Sequence, residues 1–318
     1  MSQITAADVK RVADGYSTDP SNSQSLNAEA YIDQKWFDAE IKAVFAKTWQ
    51  WVCHVEKLRD PGNYIAVDIA GAPIVVVRNR EGELRAFYNV CKHRAHELVT
   101  GSGTTKNLVC PYHAWTFGLN GELKAARRAD QMDNFDKGTI CLDKVQVEEF
   151  CGFVYVNLDG TAKPLAEQAG DLKKEIEYWA PGVEKLTLAK RLTYEINSNW
   201  KNVVDNFLEC YHCHIAHPEF VDLVDMGTYI VKTYGIWSSH FAEAGKTKNV
   251  AYDVEDASVT THAVWWLWPN TCLLRYPGRN NFMVLQIIPA GPEKTLEIWD
   301  FYLEDNNLTK GEVEAVKY

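Results

Sequence analysis

Cys91-Lys-His93, followed seventeen residues after His93 by Cys110-Pro-Tyr-His113, constrains this chain more than any other feature of its sequence. Each pair stands between a run of strand-forming residues and turn-forming sequence, so two loops can meet around one site. Two thiolates and two imidazoles fit two cofactors: tetrahedral zinc, or a [2Fe-2S] cluster with two cysteines on one iron and two histidines on the other. Residue types alone do not separate them. The sequence has eight cysteines in 318 residues and opens MSQITAADVKRVADGYSTDP, without the apolar core of a secretory signal. The cysteines are therefore expected to be thiols or metal ligands rather than a disulfide framework, in a cytoplasmic protein.

The surrounding pattern is α+β. Residues 28–50 carry Phe37, Ile41, Val44, Phe45 and Trp49 at spacings that paint one helical face, predicting an N-terminal helical segment over residues 1–50. Short runs such as PIVVVRN, LRAFYNV and GFVYVNL, separated by NREGE and by Asn120-Gly121, predict a small antiparallel β domain over 51–160. Residues 161–318 begin with the helical stretches PLAEQAGDLKKEIEYWA and WKNVVDNFLECYHC, the latter expected to break near Pro218. Strands follow in AVWWLWP, TCLLRYP, NFMVLQIIP and TLEIWDFYLE, giving a mostly antiparallel sheet flanked by helices. A last helix is expected from about Thr309, with Thr309 and Glu312 as a capping box.

Composition narrows the function classes. With 46% hydrophobic residues the chain can fill a substantial core, and no stretch approaches the roughly 20 apolar residues a bilayer span needs. A net charge of −10 and the absence of a Lys/Arg run argue against nucleic-acid or anionic-membrane partners.

A zinc finger of this ligand set groups its cysteines and its histidines separately, whereas here each loop supplies one of each. That interleaving marks a Rieske centre. CKHRAHEL and CPYHAWTF resemble the two cluster loops of the Rieske ring-hydroxylating oxygenase large subunits, of general form C-x-H-R and C-x-x-H-x-W. The resemblance implies that Cys91 and Cys110 ligate one iron and His93 and His113 the other. It also implies a separate flavin- or ferredoxin-type reductase that delivers single electrons.

An electron acceptor is expected in ECYHCHIAHPEF, residues 209–220. Glu209-x-x-His212 on a helix would share one face, while His212 and His217, five positions apart, converge only if the helix loosens between them. Spacing alone leaves a metal pair and two structural histidines equally open. The same family carries Asn-x-x-(Asp/Glu)-x-Tyr-His, then four residues and a second His. By that resemblance His212 and His217 bind a mononuclear non-heme Fe(II) that uses O₂, Asn206 lies close behind the iron's open positions, and His214 is a neighbour. Cys210 and Cys213 are expected not to be ligands, thiolates being unsuited to an O₂-activating site of two histidines and a carboxylate. Glu209 matches the carboxylate that links a cluster histidine of one subunit to an iron histidine of the next, which implies a head-to-tail homotrimer.

A glutamate at the bridge, with the phrases NWKNVVDNFLECYHC and AHPEF, looks most like the branch acting on quaternary ammonium compounds such as carnitine and glycine betaine. The expected reaction is N-demethylation or C–N cleavage. The alternatives are an aromatic or heterocyclic ring hydroxylase, and an electron-transfer protein without oxygenase activity. A quaternary ammonium needs aromatic faces, which Trp237, Trp265, Trp266 and Trp268 could supply as a cage, the alternative being that AVWWLWP is a buried strand that packs them in the core. The family's third iron ligand, a carboxylate on a long C-terminal helix, has no match before Tyr318, so the sequence is expected to be an incomplete chain.

Overall fold

The structure, a computed structural model, describes residues 4–246 and 257–304. The chain forms two compact units, Phe45–Lys173 and Met1–Val44 with Lys174–Tyr318.

Phe45–Lys173 is an antiparallel β unit. Its strands are β1 (Gln50–His54), β2 (Asn63–Ile69), β3 (Ala72–Arg78), β4 (Leu84–Tyr88), β5 (Ser102–Thr104), β6 (Leu108–Val109), β7 (Thr116–Phe117), β8 (Leu123–Ala125), β9 (Lys144–Phe150) and β10 (Phe153–Asn157). Seven form one sheet in the order β1-β10-β9-β4-β3-β2-β5, and β6-β7-β8 form a second, three-stranded sheet. The run PIVVVR is apolar on both faces because β3 divides two cores. Ile74 and Val76 pack with Val154 and Val156, while Val75 and Val77 pack with Phe87, Leu108, Phe117 and the sulfurs of Cys91 and Cys110. Both turn signals hold: Asn79 N–H donates to the Glu83 carbonyl across NREGE, and Gly121 turns β7 into β8 with φ +90°. A Cβ at Gly121 would stand 2.6 Å from the Phe87 ring, so only glycine fits there.

The other unit begins with α1 (Ala6–Val12), α2 (Glu29–Ile32) and α3 (Gln34–Glu40). The single helix expected over 28–50 is divided: Asp33 is extended and caps α3 through its carboxylate on Lys35 N–H, Ile41–Phe45 is a π turn, and Gln50 already lies in β1. Likewise the stretch after Pro164 splits at Gly170, φ +55°, into α4 (Leu165–Ala169) and α5 (Leu172–Trp179). The helix expected from Thr309 lies outside the described residues.

A second seven-stranded antiparallel sheet builds this unit, in the order β11-β17-β16-β15-β14-β13-β12. Its strands are β11 (Thr187–Ile196), β12 (Ile230–Thr233), β13 (Trp237–Glu243), β14 (Thr261–Leu267), β15 (Thr271–Arg275), β16 (Asn281–Gly291) and β17 (Lys294–Leu303). Between β11 and β12 the chain forms α6 (Trp200–Leu208), α7 (Cys213–Ala216) and α8 (Pro218–Leu223), and α6 lies on β16 and β17. Asn199 sets the start of α6. Its side chain accepts from Lys201 N–H and donates to the carbonyls of Tyr31 and Pro292, at 2.8 and 2.6 Å, tying the helix to the N-terminal segment and to the β16–β17 turn. Among the described residues no helix is long and apolar enough to cross a membrane.

Candidate functional site

The two Cys/His loops repeat one backbone plan. Cys91 N–H donates to the His96 carbonyl and Ala95 N–H to the Cys91 carbonyl, at 2.8 and 2.9 Å; Cys110 with Trp115, and Ala114 with Cys110, make the same two bonds at the same distances. Ala95 and Ala114, each four residues after its cysteine, both take the left-handed conformation, with φ +55° and +60°. The cysteines are 2% exposed, inside the core. Burial raises the Cys91 thiol, and the adjacent Cys110 thiol adds to the rise.

The histidines stand on the outer side of this arrangement. Their rings meet edge to face with centroids 4.7 Å apart, His93 is exposed, and Trp115 stacks on His93 at 4.9 Å. His113 Nδ1 is buried and has no hydrogen-bond partner among the described residues. An orphaned ring nitrogen beside a second imidazole and two buried thiols fits a [2Fe-2S] cluster held as the interleaved ligand order implies. Loss of solvent lowers the His113 pKa first, and the neighbouring His93 and Arg94 lower it further, the direction that favours the neutral ring a ligand needs.

The second set lies where α6 ends. Glu209 is extended, with φ −128° and ψ 155°, so Glu209 and His212 do not share a helical face as the sequence suggested. The break comes earlier than Pro218. Glu209 turns its carboxylate back along the chain: Oε2 accepts from Tyr211 N–H, and Oε1 lies 2.5 Å from His212 Nδ1. The bond to His212 is the main reason that the Glu209 pKa is lowered. Four residues of α7 follow, then His217 interrupts the helix at φ −131°, ψ 63° before Pro218 starts α8. The His212 and His217 rings are brought to 5.1 Å between centroids, edge to face. His214 is exposed and does not line the cavity that both histidines line. The pair fits two ligands of a mononuclear iron, and the described residues add no third beside them.

Cys210 and Cys213 form a disulfide, which corrects the expectation that every cysteine is a thiol or a ligand. The turn that brings Glu209 back to His212 also brings their Cα atoms to 5.0 Å, within bridging range.

Glu209, His212 and His217, with Asn206 one turn before Glu209, line a cavity of 1120 Å³. The opposite wall is the sheet face that presents Leu192, Tyr194, Glu297, Trp299 and Phe301. The cage expected from four tryptophans is not there. Trp265 is fully buried on the other face, donating to Glu175 at 3.1 Å and packing on Phe241 and Phe282. Trp237, Trp266 and Trp268 line a separate cavity of 170 Å³. Strand alternation explains this: Trp265 takes the face opposite Trp266 and Trp268, so the four cannot close one cage. The tryptophan that does line the large cavity is Trp299, and the period-two rhythm of TLEIWDFYLE, with Glu297, Trp299 and Phe301 half-buried on the face opposite Asp300 and Tyr302, is the signal that would have found it. Asp300, on the alternate face, is 1% exposed and pairs with Arg191 at 2.6 and 2.7 Å, so it is not a candidate third ligand.

Comparison with known proteins agrees with both halves of this geometry. Residues 48–136 match the Rieske [2Fe-2S] domain, and residues 183–317 match the catalytic domain of the ring hydroxylating alpha subunit. The carnitine monooxygenase oxygenase subunit of Escherichia coli K12 is 37% identical over 306 residues, covering 96% of this chain and 82% of that protein. Its counterpart in Acinetobacter pittii is 36% identical over 98% of this chain and 84% of its own length. A quaternary ammonium Rieske monooxygenase solved with gamma-butyrobetaine superposes with a TM-score of 0.82 at 32% identity, covering all of this chain (100%) and 83% of that one. Naphthalene 1,2-dioxygenase from Rhodococcus, at 19% identity and TM-score 0.81 over 98% of this chain and 80% of its own, shares the fold.

Proposed function

This chain belongs to the Rieske non-heme iron oxygenases, as an alpha subunit related to the carnitine monooxygenases, and on that premise we propose that it oxidises a quaternary ammonium compound with O₂, by N-demethylation or C–N cleavage. Relatives that act on carnitine match it through both domains rather than over the cluster loops alone, and this observation carries the reading.

When bound, the cluster supplies single electrons and the mononuclear iron activates O₂. Cys91, Cys110, His93 and His113 would hold the first, and His212 and His217 two positions of the second. With His212 protonated at Nδ1, Glu209 would accept that hydrogen bond, fix the ring's tautomer and leave Nε2 to hold the iron. Asn206 reaches the same cavity from α6, where its amide can bond a polar group of the substrate or an ordered water. The apolar and aromatic lining removes bulk water from the reacting bond.

Glu209 is also placed to face outward. Beside it Tyr211 is 97% exposed and Ile215 90% exposed, an apolar pair that water disfavours. These features support a homotrimer in which one copy's His113 meets another's Glu209; a solved relative is described as showing inter-subunit electron transfer. A separate reductase would supply the electrons.

The test is O₂ uptake by the iron-reconstituted chain with a flavin reductase and NADH, in the presence of carnitine, gamma-butyrobetaine, glycine betaine, choline or indole. Stimulation by a betaine with release of formaldehyde or trimethylamine is expected. Stimulation by indole alone would move the assignment to ring hydroxylation.

A further inference from the structure

The reading above leaves open what in this chain recognises a permanent cation. Hydrogen bonds cannot neutralise a quaternary ammonium, so it needs ring faces and a negative charge that it can approach. The cavity offers two groups of rings. Phe220, Tyr229 and Tyr276 surround His262, whose ring is 5.0 Å from Phe220 and 4.9 Å from Tyr276, so that group is already filled by an imidazole. The other lies on the sheet, where Trp299 and Phe301 stack at 6.5 Å and Tyr194 stands opposite Glu297 in the β11–β17 register. This group carries a carboxylate.

We propose that Glu297, between Tyr194 and Trp299 on the cavity wall, is the specificity-determining residue that receives the cationic head of the substrate. Among the described residues its one hydrogen-bond partner is Trp299, whose Nε1–H donates at 3.0 Å and fixes both side chains. Among the described residues no lysine or arginine pairs with its carboxylate, whereas Asp300 on the opposite face of the same strand is matched by Arg191. Loss of solvent raises the Glu297 carboxyl, a cost to its charged form that an arriving cation would offset. The cavity's other carboxylates, Glu209 and Glu219, belong to the segment that carries the histidines, and Glu209 is engaged by His212. Glu297 therefore accounts for selection of the cation separately from the chemistry at the histidines.

The proposal rests on the quaternary ammonium reading, and calorimetric binding to the full chain separates the two. The probes are gamma-butyrobetaine and 5,5-dimethylhexanoate, which replaces the ammonium nitrogen by carbon and keeps the shape. Wild type is expected to prefer the betaine. Glu297→Gln should weaken the betaine roughly tenfold or more while the carbon analogue binds as before or tighter, and Glu297→Asp should keep the preference. Equal weakening of both probes by Glu297→Gln, or no change in either, overturns the assignment of Glu297 alone. A wild-type chain that binds indole and neither betaine nor carnitine overturns the substrate reading with it.

Discussion

Glu209 Oε1 and His212 Nδ1 stand 2.5 Å apart across a turn, not along a helix, so the carboxylate that orients the imidazole is itself held by Tyr211 N–H. A glutamine keeps the shape but loses the charge that favours Nδ1–H. Glu209→Gln should lower turnover roughly 10- to 100-fold while the reductase still reduces the cluster at the wild-type rate. Stopped-flow absorbance would show this as a cluster that is reduced normally but reoxidised slowly with substrate and O₂ present.

Ala95 and Ala114 occupy left-handed positions in the two cluster loops, a conformation that costs a non-glycine residue about 1–2 kcal/mol. Both are exposed, so substitutions there change little packing. Ala114→Gly should keep the cluster and leave the melting temperature equal or higher. Ala114→Val, branched at Cβ, should lose most of the cluster's visible absorbance.

Glu40 and Lys201 join the N-terminal segment to α6 at 2.7 Å, both largely buried, and Glu40 also accepts from Trp200 Nε1 at 2.8 Å. Glu40→Ala takes from the Lys201 ammonium the carboxylate it is bonded to and leaves only Asp205 nearby, a loss of up to about 3 kcal/mol. Urea unfolding should register that loss, and Lys201→Met added to Glu40→Leu should recover most of it.

His240 and His262 are buried, and desolvation lowers their pKa values to about 4 and about 3. Their folded values lie below the unfolded value near 6.5, so the unfolded chain takes up protons first as pH falls. Stability is full above about pH 6.5 and is lost from there down to about pH 4 for His240 and about pH 3 for His262, at up to about 1.4 kcal/mol per pH unit for each. Melting temperatures from pH 7 to pH 5 should fall accordingly, and less steeply in His262→Phe, whose ring can occupy the same space between Phe220 and Tyr276.

The sequence was most readable where a cofactor dictates it. Cys91, His93, Cys110 and His113 must sit at set spacings whatever surrounds them, and the structure puts both cysteines in one core and the two histidine rings 4.7 Å apart. The β character of both sheets was readable for the same reason that β3 and β17 alternate: neighbouring side chains serve opposite faces. Helix ends were read less well. Asp33, Gly170 and Glu209 each stop a helix that apolar spacing would have continued, because a side-chain cap, a positive φ or an acidic side chain turning back on the backbone outweighs periodicity. The tryptophans misled because abundance of aromatic residues says nothing about which face they take, and Glu297 was missed because a lone acidic residue in a strand reads first as a solvent position.

The matched hydrogen bonds at Cys91 and Cys110 make the two loops near copies of each other over six residues, Cys91–His96 and Cys110–Trp115. The histidine comes second after the cysteine in one copy and third in the other. A single frame thus accepts its imidazole at either of two rungs, and the one-step offset breaks what would otherwise be a local twofold. Grafting one loop's hexapeptide onto the other would restore that symmetry and make two equivalent halves, an arrangement that this domain avoids by a difference of one position.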